Sequence, residues 1–501
     1  MKLCVSIDGT GLSEYATMPL GEGPSAVERV AAYAAALPGV VATTVLVDPN
    51  TPPAAVPAAA AVIRRDRWDT AVLLSALKEA AGEADALLYC RADSPFLDAG
   101  ITARMLESHR RYVSEYTFAD GYPAGMAPEV VDPRILDQLR TLAENEPAPI
   151  SHAGLFAVVE KDINAFDVET ELSPVDMRIM RATLACDTKR NHLLCGRIAR
   201  ELGDAAGEEE LIDLLERQAE IMRTLPSYTS IQVVAGDVQA PIHSPYRLIK
   251  PDALGAREEM PAERFEVLVS ELSRFAPDGM VHVSLWGEVG LHSQLPRLIE
   301  AVDGLPGLEL LVETSGVGWR PEALEAVASM TLTSTRFIID LDTDDEESYR
   351  RVRGEGFQEA RRSADTLIEA HGRRVYVQTI RMRETEQEVE AFYRAWKERG
   401  VQVIVQKYDH YCGRLEDRRV TDISPVTRFP CRHTQRDLNI LLDGTVPMCR
   451  EDLDRGHVMG NVFEDGIESV WNNGSEAHLR QVRADYPELC RRCDEYYTFN
   501  Y

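Results

Sequence analysis

Four cysteines near the end of the chain, Cys431, Cys449, Cys490 and Cys493, narrow the possible folds more than any other feature. Between the first two runs Leu438-Asn-Ile-Leu-Leu-Asp-Gly-Thr-Val-Pro-Met448, which reads as two short strands joined by an Asp443-Gly444 turn. Such a hairpin delivers Cys449 beside Cys431. Cys490 and Cys493 form a CxxC and reach one centre from a single turn of chain. Four thiolates on so small a frame suit either tetrahedral zinc or a cubane iron–sulfur cluster. A free cysteine is ordinarily just a small buried apolar residue. Clustering argues otherwise here, because five of the nine cysteines follow residue 400. Disulfides are the weaker reading, since nothing in the sequence indicates an oxidising compartment.

A chain of 501 residues has room for roughly two to four domains. Its formal charge of −28 argues against a nucleic-acid backbone as partner. The opening Met-Lys-Leu-Cys-Val-Ser-Ile-Asp is too short an apolar run for a signal segment, and no later run approaches a membrane span. A cytoplasmic location is expected, with no membrane partner. The substrate class, a small molecule or a protein or peptide, is not readable from these residues.

In the first third, strand character at 3–7, 40–47 and 86–90 alternates with helical character at 25–36 and 70–81. That alternation predicts an α/β domain with a parallel, doubly wound sheet. Ligands of such sheets bind at the carboxyl ends of strands, where Asp8-Gly-Thr-Gly and Asp93 fall. An Asp at a strand end is more often a turn former than a ligand. Gly203 to Gly207 reads as a break, and 208–225 as an amphipathic helix stopped by Pro226. Beyond it, strands at 229–234, 281–286, 309–313, 336–340, 374–379 and 401–406 alternate with helices at 262–275, 295–302, 321–328, 357–371 and 385–399. A repeat of this kind predicts an open or partial (βα)6 barrel.

Three resemblances follow from these residues. The pattern CX12GX4C, then a gap and CxxC, with Met459-Gly-Asn-Val462 and Ile467-Glu-Ser-Val-Trp471-Asn between, looks like the SPASM domain of radical S-adenosylmethionine (SAM) enzymes. It implies one auxiliary 4Fe-4S cluster on the four cysteines, with zinc as the rival. The central third is similar to the radical SAM core. Trp286-Gly-Glu288 stands where that family holds the cofactor's amino end, which implies Glu288 as a cofactor contact. Glu313-Thr-Ser-Gly316, Asp340-Leu-Asp342 and Arg353-Gly354 fall where its later motifs lie. The core departs from the family at the essential place. The family's CxxxCxxC loop here reads Gly236-Asp237-Val-Gln-Ala-Pro241-Ile-His-Ser244-Pro245, so Asp237, Pro241 and Ser244 replace its three cysteines. Proline cannot ligate, and Asp and Ser are hard partners for a cluster. No cysteine lies between Cys195 and Cys412. Cys412 reads as a free thiol or a substitute ligand.

The first third, through Ala84-Asp-Ala-Leu-Leu-Tyr-Cys-Arg-Ala-Asp93-Ser-Pro95 and Thr183-Leu-Ala-Cys-Asp187, resembles cytidylyltransferase-type nucleotidyltransferases. That resemblance implies Asp93 and Asp187 as ligands of a magnesium–nucleotide complex. Its phosphate loop is glycine-rich and basic in the family, whereas residues 8–23 here hold two glutamates and no Lys or Arg. With all three features together, the chain resembles the spiro-SPASM protein family. The resulting division is a nucleotidyltransferase-like domain at 1–202, a helical connector at 203–227, a radical SAM-like partial barrel at 228–411 and a SPASM-like domain at 412–501. The expected function is 4Fe-4S cluster binding on a scaffold that does not cleave SAM. The alternatives are a metal-dependent nucleotidyltransferase and an atypical radical SAM enzyme, so whether the chain is an enzyme stays open at this stage.

Overall fold

Leu3–Gly9 is buried on both faces along its whole length, as a strand must be when helices cover both sides of its sheet. Successive side chains point to opposite faces. Leu3, Val5 and Ile7 enter one apolar core and Cys4 the other. In the computed structural model, which describes residues 1–49, 51, 60–145, 149–203, 207–249 and 258–498, this strand is central to a seven-stranded sheet. The order is Ala61–Arg64, Val40–Val47, Leu3–Gly9, Ala86–Arg91, Glu129–Val131, Tyr116–Asp120, Val168–Leu172. The first four strands run parallel, as alternation predicts, but Glu129–Val131 runs antiparallel to both its neighbours. The sheet is therefore mixed. A compact link from Tyr116–Asp120 back to Glu129–Val131, with no helix between, reverses the chain.

Ala26–Ala36 begins at a capping box, in which Ser25 and Glu28 satisfy each other's backbone N–H. That helix and Lys189–Leu202 supply Val30, Ile198 and Ala199 to the core under Val5 and Ile7. Thr70–Ala81 and Leu136–Asn145 cover the other face through Leu73, Leu77 and Leu139. The helix after the glycine break spans Glu208–Arg217 and buries Leu211, Ile212, Leu214 and Leu215 in the first of these cores. Residues 204–206 of that break lie outside the described residues. The chain divides into two units, Met1–Thr224 and Leu225–Tyr501.

In the second unit, seven parallel strands follow the order Gln402–Lys407, Val375–Arg381, Thr335–Asp340, Glu309–Thr314, Met280–His282, Tyr228–Ile231, Asp437–Ile440. Ala262–Phe275, Leu295–Asp303, Pro321–Ser329, Phe357–His371 and Val389–Glu398 pack outside them. Six strands form the βα repeat, and the seventh comes from the cysteine-bearing tail. Period-two alternation builds the barrel's interior in layers. Tyr228, Leu311 and Ile338, with Met280, Tyr376 and Ile404, form an apolar plug. Two residues further along the same strands come Ser230, His282, Glu313, Asp340, Gln378 and Gln406, a polar layer lining a cavity.

The expected hairpin after Cys431 is not one. Asp437–Ile440 joins the barrel sheet beside Tyr228–Ile231, whereas Thr445–Pro447 pairs antiparallel with Val458–Asn461. Only the turn survives as read, with Gly444 N–H on Leu441 O at 2.9 Å. Gly444 has φ of +86°, and a Cβ there would meet Asn461 and Phe463 at 2.4 and 2.3 Å. Leu438 and Ile440 are fully buried, and an unpaired barrel edge offers their backbone a complete ladder.

Candidate metal centre

Cys431, Cys449, Cys490 and Cys493, spread over three segments, line one cavity of about 20 Å³. Cys431 precedes the short helix His433–Arg436, and its carbonyl accepts from Thr434 Oγ1 at 2.8 Å. Cys449 follows Thr445–Pro447. Cys490 lies on Glu488–Arg492, and the N–H of Cys493 closes that turn on the Cys490 carbonyl at 3.2 Å. Gln481 Nε2 donates to Cys490 Sγ, and the N–H of Glu495 to Cys493 Sγ, each at 3.2 Å. Burial pushes the thiols of Cys431, Cys449 and Cys490 up, and the neighbouring cysteines push the same way. Thiols held so become thiolates together only around a cation.

The donor set is all sulfur, buried at Cys431 and Cys490 and half-buried at Cys449 and Cys493, with N–H groups on two of the sulfurs, which fits an iron–sulfur cluster. Zinc draws sulfur to about 2.3 Å and so packs four thiolates tightly around one ion. Among the described residues the side chains whose ligand atoms come within 4.8 Å of one another in a group of three are Asp409, His410 and Asp494, not the cysteines. The Asp409 trio is already neutralised, Asp494 by Lys407 and Arg419 at 3.1 Å and Asp409 by Arg450 at 3.3 Å.

The barrel cavity holds about 200 Å³, and two of its residues, Asp437 and Arg450, also line the cysteine cavity. Arg450 pairs with Asp409, Glu451 and Glu495 at 3.3, 3.2 and 3.5 Å. Burial opposes its charge, but Tyr411 and those acids raise its pKa well above the ordinary value. Sequence reasoning missed Arg450, although its place directly after Cys449 was the available signal.

Asp237, Pro241 and Ser244 line the same cavity. Asp237 Oδ1 accepts from the N–H of Gln239 at 2.9 Å and Ser244 Oγ from that of Tyr246 at 3.2 Å, so both serve their own turns. Burial pushes His243 down to about 4, leaving a neutral ring 3.7 Å from Asp342. Trp286 occupies left-handed backbone at φ +52°, a rare conformation for a bulky residue, and packs in a cluster with Tyr246, Leu285 and Leu441. Gly287, next to it, lies so close to the chain that a Cβ would meet Val234 O at 2.0 Å.

Glu288 is buried and saturated. Its Oε1 accepts from Gly290 N–H at 2.9 Å and from the Thr314 hydroxyl, and its Oε2 from Ser315 N–H and Oγ at 2.8 and 2.7 Å. Those bonds tie the loop after Met280–His282 to the loop after Glu309–Thr314. Deeper in the cavity, His282 Nε2 meets Glu313 Oε2 at 3.0 Å and Ser230 Oγ meets His282 Nδ1 at 3.2 Å. Gln378 Nε2 bridges Glu313 Oε1 and Asp340 Oδ1 at 3.0 and 2.8 Å. Burial, reinforced by the Glu313 charge, raises Asp340 well above the usual carboxylate range. Arg353 and Asp342 form a buried ion pair at 2.7 Å.

In the first unit the fold brings Asp93 and Asp187 to a single imidazole. His152 Nε2 is 3.6 Å from Asp93 Oδ2 and 3.3 Å from Asp187 Oδ2, filling the gap between the carboxylates. Arg91 pairs with Asp93 and Asp8 at 3.3 and 3.2 Å. Nothing in the sequence around His152 signalled its place.

Two family models match the chain. The radical SAM superfamily model covers residues 244–395, and SPASM, an iron–sulfur cluster-binding domain, covers 431–494. An uncharacterized protein of Treponema pallidum (strain Nichols) is 34% identical over 361 residues, covering 69% of this chain and 98% of its own. A second uncharacterized protein of that organism is 43% identical over 63 residues, covering 13% of this chain and 29% of its own. Among solved structures, Streptococcus suis SuiB bound to S-adenosylmethionine is similar at 13% identity and TM-score 0.43, covering 65% of this chain and 82% of that one. A cytidylyltransferase of Leptospira borgpetersenii serovar Hardjo-bovis is similar at 16% identity and TM-score 0.37, covering 44% of this chain and 97% of that one.

Proposed function

We propose that this chain, which belongs to the radical SAM superfamily and carries its iron–sulfur-binding SPASM domain, works through the centre at Cys431, Cys449, Cys490 and Cys493 and does not cleave SAM reductively. The loop after Tyr228–Ile231 carries the reading: Asp237, Pro241 and Ser244 stand where three thiolates are needed, and residues 196–411 contain no cysteine. Glu288 supports it, because all four of its lone-pair positions are committed to Gly290, Thr314 and Ser315. An amine arriving there would have to displace one of those donors.

Bound at the four thiols, a 4Fe-4S cluster supplies one-electron transfer. Gln481 Nε2 and the Glu495 N–H, donating to Cys490 and Cys493, stabilise added negative charge on the sulfurs. Arg450 places a fixed positive charge between this centre and the barrel cavity. The cavity's polar layer, with Glu313 bonded to His282 and Asp340 beside Gln378, suits a small polar molecule or one side chain of a peptide. The setting is cytoplasmic. Among the described residues no helix is long and apolar enough to cross a membrane.

Protein purified without oxygen is expected to be brown, with about four irons and four sulfides per chain. Incubated with SAM and a strong reductant, it is expected to yield no 5′-deoxyadenosine. Deoxyadenosine from fully loaded protein overturns the reading of the barrel. A colourless protein with one tightly held zinc overturns the reading of the cysteines.

One observation favours a second activity, a metal-dependent nucleotidyltransferase. Asp93 and Asp187, far apart in sequence, both turn an oxygen to His152, and two carboxylates are the protein's usual share of a magnesium–phosphate site. Magnesium-dependent binding of CTP, lost in Asp93→Ala, supports it. No binding at millimolar CTP ends it.

A further inference from the structure

The polar layer of the barrel is a hydrogen-bonded chain with one open end. Ser230 leads to His282, His282 to Glu313, and Glu313 through Gln378 to Asp340. Asp340 Oδ1 takes the Gln378 amide at 2.8 Å, and among the described residues its Oδ2 accepts from nothing. That oxygen is not sealed in the protein, since Asp340 is half-buried and lines the cavity. The Lys and Arg side chains lining the same cavity are committed elsewhere: Arg353 to Asp342 at 2.7 Å, Arg450 to Asp409 at 3.3 Å and Lys407 to Asp494 at 3.1 Å. The other lining acids have their own donors. Glu288 is saturated, and Glu313 holds His282 and Gln378. Asp437 holds His433 and Arg436 at 2.5 and 2.7 Å, and Asp237 caps its own turn through the Gln239 N–H. Asp340, in the strand layer, receives one neutral N–H and no cation.

A second observation comes from the tail strand. Ser230 and Asn439 stand opposite each other in the ladder between Tyr228–Ile231 and Asp437–Ile440, so Asn439 belongs to the same layer. Leu438 and Ile440 turn the other way into the apolar core, and Asn439 lines the cavity at 3% exposure. Among the described residues its amide has no hydrogen-bond partner, and neither of its polar atoms is sealed off from the cavity. Buried amides without a protein partner are ordinarily satisfied by something that enters the site. We propose that the barrel cavity binds a ligand carrying an alkylammonium group, received by Asp340 Oδ2, with a neutral polar group of the same ligand on the Asn439 amide. The acceptor chooses the ammonium. A guanidinium pairs best through two parallel N–H bonds to both oxygens of a carboxylate, and Gln378 already occupies one of them. A magnesium or calcium ion needs several oxygens. Among the described residues the group of three converging ligand atoms is Asp409, His410 and Asp494, and Asp340 is not in it. An ammonium is a compact charge that a single carboxylate oxygen can receive. A free small amine and the lysine side chain of a peptide share this chemistry. The inference rests on the reading of the cavity as a ligand chamber and not on the cysteine centre.

The test is titration calorimetry on anaerobically purified full-length protein. The probes are β-alaninamide, which carries an ammonium and an amide, its neutral analogue butyramide, its guanidinium analogue and the anion succinamate. A blocked Gly-Lys-Gly peptide, against the same peptide with norleucine for lysine, reads the peptide source. Either β-alaninamide or the lysine peptide is expected to bind about tenfold or more tighter than its neutral analogue, and Asp340→Asn is expected to remove that preference. Whichever of the two binds names the source. Asn439→Leu is expected to weaken the amine and its neutral analogue alike, and unchanged binding there takes Asn439 out of the site. Equal affinity for amine and neutral analogue overturns the inference while the chamber stands, as does tighter binding of the guanidinium or the anion. Loss of the preference in Asp237→Asn but not in Asp340→Asn overturns the assignment to Asp340. If no probe of any charge binds at millimolar concentration, the chamber reading itself falls. The comparison of amine with neutral analogue needs wild type alone, so it decides the matter even if Asp340→Asn fails to fold by circular dichroism.

Discussion

At Gly287 a single methyl group has nowhere to go, because the Val234 carbonyl lies 2.0 Å from where it would sit. Gly287→Ala is therefore expected to destabilise the second unit by about 3 kcal/mol or more, measured by urea unfolding. Arg353→Met should cost a similar amount, about 3–5 kcal/mol, because it strands the buried Asp342 carboxylate. Glu129 gives a pH dependence with a definite sign. Burial pushes its carboxyl up to about 7, although Tyr116 and the N–H groups of Leu155 and Phe156 pull the other way. A carboxyl raised in the folded state contributes stability that is complete below its unfolded value and lost as pH rises through its folded one. Thermal stability of the first unit should thus decline from about pH 4.5 to pH 7, by up to about 3 kcal/mol. Glu129→Gln should flatten that slope, and melts at half-unit pH intervals check it.

At the level of elements, most of the framework could be read from local pattern. Ala262–Phe275 and Phe357–His371 match the helices expected from apolar spacing, and the capping box at Ser25 marks the start of Ala26–Ala36. Short elements were harder. Ala61–Arg64 and Glu129–Val131 are too brief for alternation to register, and their place is set by the neighbours they pair with. The fate of Asp437–Ile440 also depended on a distant partner. Two strands flanking an Asp-Gly turn look like a hairpin, yet the exposed edge of Tyr228–Ile231 outcompetes the local pairing. Cys490 and Cys493 could be paired from the sequence because two residues separate them, whereas Cys431, Cys449, Arg450, Gln481 and His152 reach their places only through tertiary folding. Leu438→Ala, which opens a cavity under the edge strand, should cost about 2–5 kcal/mol. Because Cys431 and Cys449 flank that strand, it should also lower the iron retained on purification.

At the level of the molecule, the two units have separate cores. A centre that binds only folded protein stabilises the unit that holds it. Stripping the iron with chelator and oxidant should lower one calorimetric transition by several degrees and leave the other where it was. A single transition that moves as a whole would show that the units melt together. Arg450 and Asp437 face the inorganic centre on one side and the barrel on the other. A partition with a permanent cation in it makes the two compartments thermodynamically linked. Whatever charge a guest brings into the barrel shifts the midpoint potential at the sulfurs, and each electron stored there alters the guest's affinity by the same factor. On the proposed reading, voltammetry on the tail registers whether the barrel is occupied.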